Sequence, residues 1–280
     1  MTAQRISLSL ALTVLLLLLA GALLLGTVSM GQPVARALAP DDPGILYVSA
    51  DGDCGGMTPC FDEIQAAVDA ATEGDTVKVA TGVYTQVNTY GGLAQIVYVA
   101  KDLTIRGGYS TADWDTSDPD ANPTVLNAEG LGRVIYVSGA VNVTVQGLEL
   151  TGGNASGIGN TGGGLYANGA TLTLLDNRIM SNTATTVSNG SGGGVALNSG
   201  RGVLSGNTFL ANVGVDGHYG DGDGGGAALS TGVFTVTGNL FQDNTGSKSS
   251  LADGGGMKVD RCTALIDNNT FRGNLGSHVS

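Results

Sequence analysis

The stretch GGGVALNSGRGVLSGNTFLAN, from Gly192 to Asn212, contains a pattern that this chain repeats four times. An asparagine follows the first glycine of the triplet by fifteen positions, an apolar residue comes two positions later, and a second asparagine comes three after that. The triplets begin at Gly162, Gly192, Gly224 and Gly254, so successive units are offset by 30, 32 and 30 residues. A period of this length indicates similar units stacked along one axis.

The other columns of the pattern keep the same offsets. The first asparagines are Asn177, Asn207, Asn239 and Asn269. The apolar positions are Ile179, Phe209, Phe241 and Phe271. The second asparagines are Asn182, Asn212, Asn244 and Asn274. Within each unit, short segments alternate between apolar and polar residues, as strands with one buried face do. The expected fold is all-β: a right-handed, single-stranded parallel β-helix (a solenoid) with one coil per unit.

Stacking gives the fixed columns a physical role. Equivalent residues in neighbouring coils would lie about 4.8 Å apart. We expect the column that begins at Ile179 to form an inward apolar stack. We expect the column that begins at Asn177 to form an internal amide ladder, because stacked identical strands favour such ladders. Both columns are therefore predicted to be structural rather than catalytic.

Length varies in one part of the unit only. The segments between the second asparagine and the next triplet, at 183–191, 213–223 and 245–253, have 9, 11 and 9 residues. The rest of each unit keeps its length. Insertions should therefore emerge on one side of the solenoid, where repeat proteins commonly place their binding surface.

The amino-terminal 39 residues are predicted to direct export. An apolar run follows the early charge of Arg5, and two A-x-A cleavage patterns lie at 35–37 and 37–39. We interpret residues 1–39 as a secretory signal peptide. The alternative is an uncleaved amino-terminal anchor, because the apolar run is long enough to span a bilayer. Either interpretation predicts a secreted, extracellular or cell-surface protein.

The segment 40–75 is predicted to cap the solenoid. It contains one convincing helix, at 61–71, in which Phe61, Ile64 and Val68 share a face. Such a helix would cover the open end of the apolar core. The predicted β-helix then covers 76–280, with units at 162–191, 192–223, 224–253 and 254–280. The last unit is incomplete, so we expect further coils or an anchoring domain after it.

Two cysteines lie close together before the helix. In an exported protein, Cys54 and Cys60 are expected to form a disulfide. Cys262 stands alone and is interpreted as a small residue buried in the fourth unit.

Two acidic loops are the candidate metal sites, and the cofactor they would suit is Ca²⁺. One contains Asp113, Asp115 and Asp118, and the other contains Asp216, Asp221 and Asp223. The alternative is that both are solvated acidic loops without a cofactor. The candidate ligand-binding residues are Trp114, His218 and Tyr219. Trp114 would either stack on a sugar or anchor its own loop.

Composition argues against nucleic-acid binding. Twelve basic and 24 acidic residues give a formal charge of −12. No basic stripe is present to meet phosphates.

Several segments resemble a known family. CFDEIQAAVDAA at 60–71 and GDTVKVA at 74–80 resemble the opening of pectin-lyase-like right-handed β-helix proteins. LTIRGGY at 103–109, NPTVLN at 122–127 and the repeats are similar to the polymorphic outer-membrane protein family. This resemblance covers residues 45–274 and implies the β-helix fold. Proteins of this kind include surface adhesins, polysaccharide lyases and hydrolases.

The leading functional hypothesis is adhesion, or binding of carbohydrate or a cell surface, through the loops on one side of the solenoid. The partner would be a polysaccharide or a cell-surface molecule. Membrane contact would occur only through residues 1–39 or an anchor after residue 280. One alternative is a polysaccharide lyase or another carbohydrate-active enzyme, but the Asn-Thr-Asp string of galacturonan hydrolases is absent and no catalytic residue is assigned. A second alternative is a rigid structural spacer.

Overall fold

The computed structural model describes residues 43–217 and 220–277. The predicted export segment 1–39, His218 and Tyr219 lie outside the described residues. Within them the chain is almost entirely β-structure, with one short helix, α1 (Ile64–Ala70). No helix in the described ranges has the length and apolarity needed to cross a membrane.

The strands that precede the first glycine triplet are irregular in length. They are β1 (Ile45–Val48), β2 (Cys60–Phe61), β3 (Thr76–Ala80), β4 (Gly82–Tyr84), β5 (Asn88–Tyr90), β6 (Leu93–Val99), β7 (Leu103–Tyr109), β8 (Thr124–Asn127), β9 (Arg133–Ser138), β10 (Asn142–Gln146) and β11 (Glu149–Thr151).

The strands of the repeats recur with nearly constant lengths. They are β12 (Leu165–Asn168), β13 (Thr171–Leu175), β14 (Arg178–Met180), β15 (Thr183–Thr185), β16 (Gly190–Ser191), β17 (Val195–Asn198), β18 (Arg201–Ser205), β19 (Thr208–Leu210), β20 (Val213–Val215), β21 (Gly222–Asp223), β22 (Ala227–Ser230), β23 (Val233–Thr237), β24 (Leu240–Gln242), β25 (Thr245–Ser247), β26 (Ala252–Asp253), β27 (Met257–Asp260), β28 (Thr263–Asp267), β29 (Thr270–Arg272) and β30 (Leu275–Ser277).

These strands form a parallel β-solenoid of about eight turns, which confirms the predicted all-β, stacked-coil architecture. The first sheet has the order β2-β1-β3-β7-β10-β13-β18-β23-β28. The second sheet has the order β4-β8-β11-β14-β19-β24-β29, and the third has the order β5-β6-β9-β12-β17-β22-β27. All pairs are parallel except β5 with β6. Each coil contributes one strand to each sheet in turn, and the apolar core fills the space between the three sheets.

The apolar column forms a continuous stack through this core. Ile179, Phe209 and Phe241 occupy the same register position in neighbouring coils and are fully buried. The rings of Phe209 and Phe241 are parallel, with centroids 4.4 Å apart, and Phe271 follows at 4.7 Å. Burial of such rings is among the largest single contributions to stability that a side chain makes.

The first asparagine column forms the expected amide ladder. The backbone N–H and Nδ2 of Asn177 both donate to Oδ1 of Asn207, each at 3.0 Å. Asn207 bonds to Asn239 at 2.9 and 3.0 Å, and Asn239 bonds to Asn269 at 2.9 Å through both donors. Each Nδ2 also donates to a main-chain carbonyl of the preceding coil, so both amide hydrogens are used.

The second asparagine column forms another ladder of the same kind. Asn182, Asn212 and Asn244 are fully buried, and each donates through its backbone N–H and Nδ2 to Oδ1 of the next asparagine at 2.9–3.1 Å. The sequence pattern had identified this column without predicting its hydrogen bonds. Two amide ladders therefore flank the phenylalanine stack.

The glycine triplet is required by close approach of the backbone. Gly192 has φ of 63°, which a side chain would strain. A Cβ on Gly193 would overlap the carbonyl oxygen of Val213. The chain that leaves the second ladder therefore passes directly against the middle glycine of each triplet.

The amino-terminal segment differs from the expectation in two respects. The helix begins at Ile64 rather than at residue 61, because Cys60 and Phe61 are held extended as β2 beside β1. Strand β1 pairs with β3, so the first sheet already includes residues before 76. Helix α1 packs its buried face, which includes Ile64 and Val68, against the end of the core.

A disulfide joins Cys54 to Cys60, with an S–S distance of 2.04 Å. Cys262 is a free, partly buried thiol that packs against the core, and burial raises its pKa.

We expect Asn207→Ala to lower the free energy of unfolding by about 1–3 kcal/mol, because it leaves the buried donors of Asn177 without an acceptor. Asn168→Ala is the matched control, since Asn168 is exposed, and should change stability by less than about 0.5 kcal/mol. Urea unfolding followed by circular dichroism would measure both. Equal stabilities of the two variants would contradict a stabilising role for the ladder.

Asp75 should make the amino-terminal coil sensitive to acid. The residue is 6% exposed, and its carboxylate accepts bonds from the N–H groups of Gly44 and Thr72 and from the Thr72 hydroxyl. Burial would raise its pKa, but these bonds and the charge of Lys101 outweigh it and lower the pKa below 3.8. The stabilisation is therefore present above pH 3.8 and is lost as the pH falls through the lowered pKa.

We expect Asp75→Asn to lose about 1.5–3 kcal/mol of stability at neutral pH, as charge-assisted bonds of this kind contribute. Urea unfolding at a series of pH values from acid to neutral would measure the difference in unfolding free energy between wild type and Asp75→Asn. This difference in stability should become smaller below pH 3.8. A difference that is independent of pH would contradict this role of the carboxylate.

Candidate functional site

The variable segments build ordered structure on one side of the solenoid. Strands β15, β20, β25 and β30 form one small side sheet, and β16, β21 and β26 form another. Both side sheets continue the coil stacking outside the three main sheets. The loops that run from the second asparagine ladder to the next glycine triplet therefore stack at the coil spacing, and we call this surface the platform.

A groove runs between this platform and the outer face of the third sheet. It consists of two adjoining depressions of about 430 and 420 Å³, which share Thr161, Ser191, Asp223 and Lys258. We call it the variable-loop groove. Its other polar lining residues include Asn160, Asn189, Asn198, Asp221, Ser230, Asp253, Asp260 and Arg261.

The charges in the variable-loop groove are largely paired. Lys258 Nζ lies 2.7 Å from a carboxylate oxygen of Asp223 and 3.4 Å from one of Asp253. Arg261 Nε lies 2.9 Å from a carboxylate oxygen of Asp260. Burial alone would lower the pKa of Lys258, but the two aspartates outweigh burial and raise it. Lys258 is therefore protonated at neutral pH.

A column of four tyrosines leads along the third sheet toward the groove. The ring of Tyr98 stacks on that of Tyr90 with centroids 5.3 Å apart, and Tyr136 follows at 5.6 Å. Tyr166 lies 5.4 Å from Tyr136, with the two ring planes within 4° of parallel. Tyr166 is the last ring of the column and lines the groove.

Arg133 supports the end of this column from inside the protein. It occupies the position of a triplet middle glycine in the coil before the first repeat, as the bonds from Val134 N–H to Gly163 O and Ile135 N–H to Gly164 O show. Its guanidinium donates to the carbonyls of Ile158, Thr161 and Gly162 in the first side loop.

The guanidinium carbon of Arg133 also lies 5.3 Å from the ring centroids of both Tyr136 and Tyr166. The residue is 1% exposed, and burial lowers its pKa to about 10, which leaves it charged at neutral pH. Cation–π attraction therefore helps to hold the last two tyrosine rings in place.

Trp114 does not offer a ring face to a ligand. The indole is 7% exposed and packs against the rings of Tyr47 and Tyr109, with centroids 5.0 and 5.8 Å away. Its Nε1–H donates to the carbonyl oxygen of Cys54 at 3.1 Å. The indole therefore joins its own loop to the disulfide-bonded segment.

The first acidic loop uses its carboxylates to shape its own backbone. One oxygen of Asp113 accepts bonds from the N–H groups of Asp115 and Thr116, and one oxygen of Asp118 accepts bonds from Asp120 and Ala121. The backbone bonds lower the pKa of Asp113. Exposed turns account for these residues.

The second acidic set is spread along the platform. Asp216 pairs with Lys248 at 2.7 Å, Asp221 accepts a bond from the Ser250 hydroxyl, and Asp223 pairs with Lys258. Across residues 43–217 and 220–277, no group of three or more His, Cys, Asp or Glu side chains is arranged to hold a metal ion. Asp221 and Asp223 both line the variable-loop groove.

The groove residues Tyr166, Asn160 and Lys258 were not identified from the sequence. The repeat does contain a signal for two of them, because the second position after each glycine triplet reads Tyr166, Ala196, Ala228 and Lys258. The lining residues from the side loops, such as Asn160 and Asp221, come from segments of different length, and whether they meet the third sheet depends on how the side sheets fold back.

Because the carboxylates of Asp113, Asp118, Asp216, Asp221 and Asp223 already have partners within the protein, we expect about 5 mM Ca²⁺ to change the melting temperature by less than about 1 °C relative to a chelator. A site with the ~1 mM affinity common in extracellular modules would add about 1 kcal/mol of stability at this concentration. Differential scanning fluorimetry would detect the difference. A shift of several degrees that Asp113→Asn or Asp223→Asn removes would contradict this expectation.

No protein-family model, curated protein sequence or solved structure matches this chain.

Proposed function

We propose that this protein is an exported β-solenoid that binds carbohydrate, or a cell surface that presents it, through the variable-loop groove. The single observation that carries the proposal is the groove itself, which lies between the side sheets and the third sheet. Adhesion to a surface would follow from this binding.

The position of the groove supports a binding role. About half of its lining comes from the side loops and the other half from the outer face of the third sheet, whereas the ladders and the phenylalanine stack lie elsewhere in each coil. Substitutions in the loops can therefore alter ligand preference without disturbing the core. A rigid scaffold that carries adaptable loops is a common arrangement for recognition sites.

The chemistry of the lining suits a ligand rich in hydroxyl groups. Asn160, Asn189 and Asn198 supply amides that both donate and accept hydrogen bonds, and Thr161 and Ser191 supply hydroxyls. Tyr166 adds an aromatic ring at one end. A few convergent polar groups beside an apolar surface is the usual composition of a small-ligand site.

Two further features support export. The disulfide between Cys54 and Cys60 is of a kind that persists in oxidising compartments. The apolar run and the A-x-A patterns of residues 1–39 suit a secretory signal peptide or an amino-terminal anchor. The resemblance of residues 60–80 and 103–127 to pectin-lyase-like and polymorphic outer-membrane proteins would also imply export.

The competing proposal is a polysaccharide lyase or another carbohydrate-active enzyme. Such a lyase needs a basic group that is unprotonated at the working pH. Lys258 lies in the groove, but Asp223 and Asp253 raise its pKa, so it is poorly suited to accept a proton. Binding without turnover is therefore the better-supported function.

An exchange of one loop tests the proposal. Replacing residues 247–253 (SKSSLAD) by the sequence of 185–191 (TTVSNGS) keeps the loop length and Gly246, at which a Cβ would overlap the Gly276 carbonyl oxygen, but removes Asp253 and Lys248 from the platform. We expect the variant to lose at least about tenfold in affinity for immobilised glycans or whole cells, as removal of central contacts usually does.

The control is Thr235→Ala, which changes the outer face of the first sheet away from the groove residues. Glycan-array and cell-adhesion assays would be run on wild type, exchange variant and control, with circular dichroism to verify folding. Unchanged binding by the exchange variant would argue against the groove. Absence of binding by folded wild type would favour the rigid-spacer alternative.

A further inference from the structure

The tyrosine column ends at Tyr166, which has an aromatic neighbour on one face only; we call its other face the open face. Tyr166, Ala196, Ala228 and Lys258 occupy one register position in four successive coils. Tyr136 stacks on one face of Tyr166, whereas the neighbour in register on the other side is the methyl group of Ala196. The face of Tyr166 that is directed toward Ala196 therefore lacks an aromatic partner, and the residue lines the groove.

The depression beyond this face has a volume of about 420 Å³ and extends from Tyr166 to Lys258. From Tyr166 to Lys258 there are three coil spacings, or about 14 Å at ~4.8 Å per strand. Ala196 and Ala228 lie at the bottom of this interval, where they are only 3% and 8% exposed. A flat ring in contact with Tyr166 would lie ~3.5–4.0 Å from it and would therefore sit above Ala196.

Polar groups surround this interval. Thr161 and Ser191 lie on the platform side, and Asn198 and Ser230 lie on the third sheet. Asn198 and Ser230 occupy one register position in neighbouring coils, so their side chains are repeated at the strand spacing. Hydroxyl groups at the edge of a stacked sugar ring would meet donors and acceptors on both sides.

The charge of the groove selects against acidic sugars. Lys258 is shared between two carboxylates, and Arg261 is paired with Asp260. Asp221 adds a further carboxylate that bonds to the Ser250 hydroxyl. Since the cations are paired and the carboxylates outnumber them, a uronate would meet net repulsion.

We infer that the variable-loop groove binds a neutral, pyranose-containing glycan, with one sugar ring stacked on the open face of Tyr166 above Ala196. This inference rests on the proposed binding function and specifies its ligand class and its central contact. The ring of Tyr166 supplies the apolar contact, and the surrounding amides and hydroxyls orient the sugar.

Three substitutions test the contact. Tyr166→Ala removes the ring, and Tyr166→Phe keeps the ring but removes its hydroxyl. Ala196→Tyr extends the tyrosine column by one coil and covers the open face while leaving every native ring in place. We expect the first and third variants to weaken binding by about tenfold or more, and Tyr166→Phe to bind within about threefold of wild type.

Isothermal titration calorimetry and glycan arrays would use neutral gluco-, manno- and galacto-oligosaccharides, with oligogalacturonates for comparison. Urea unfolding verifies that each variant keeps the solenoid. The expected result is binding of a neutral oligosaccharide that depends on the Tyr166 ring and exceeds binding of the uronates.

The inference would be overturned if no neutral oligosaccharide binds, if oligogalacturonates bind more tightly, or if folded Tyr166→Ala and Ala196→Tyr bind as wild type does. Its failure can be distinguished from failure of the proposed function. If the loop exchange abolishes binding while the Tyr166 and Ala196 variants do not, the groove remains the binding site and only the stacking contact is rejected.

Discussion

The hydrogen-bonded spacing of parallel strands, about 4.8 Å, is the constraint on which the rest of this structure depends. In a solenoid each residue lies directly over its equivalents in the neighbouring coils, so a side chain must be compatible with a similar one at that distance. Asparagine meets the requirement because one amide both donates and accepts, as the bonds from Asn177 to Asn207 show. Phenylalanine meets it by parallel stacking, as Phe209 and Phe241 do at 4.4 Å.

The same constraint places recognition where the repeat is broken. Inside the solenoid the columns are kept, because a changed rung leaves buried amides unpaired or a gap in the ring stack. On the outer face of the third sheet the column changes from tyrosine to alanine and then to lysine. That change creates the part of the variable-loop groove that lies on the third sheet, with the ring of Tyr166 at one end. The side sheets form the opposite side of the groove.

The charges that line the variable-loop groove favour a ligand that is recognised by its shape and hydrogen bonds rather than by charge attraction. The protein carries a formal charge of −12, and the groove likewise has more carboxylates than cations. Lys258 and Arg261 are engaged by carboxylates, whereas the cation nearest to the tyrosine rings, Arg133, is buried and bonded to carbonyl oxygens. A ligand would therefore encounter amides, hydroxyls, carboxylates and one ring face, with little free positive charge.

Much of the fold follows from the sequence. The period of the glycine triplets and the fixed asparagine and phenylalanine columns determined the stacked coils, the inward ring stack and the first ladder, because equal spacing along the chain becomes contact between coils. The boundary of helix α1 did not follow, since the pairing of Cys60 and Phe61 with β1 overrides the local helical pattern. The burial of Trp114 depends on Tyr109, five residues earlier in the same coil, and on Tyr47, which strand β1 brings from the start of the solenoid.

The groove was decided by tertiary structure alone. The sequence located the variable segments on one side, but their folding into side sheets depends on backbone contacts with the middle glycines and with loops one coil away. The open face of Tyr166 likewise exists only because Ala196 lies beside it in register. A periodic sequence determines what repeats from coil to coil, whereas a site built from its irregular residues is determined by where the folded backbone brings them together.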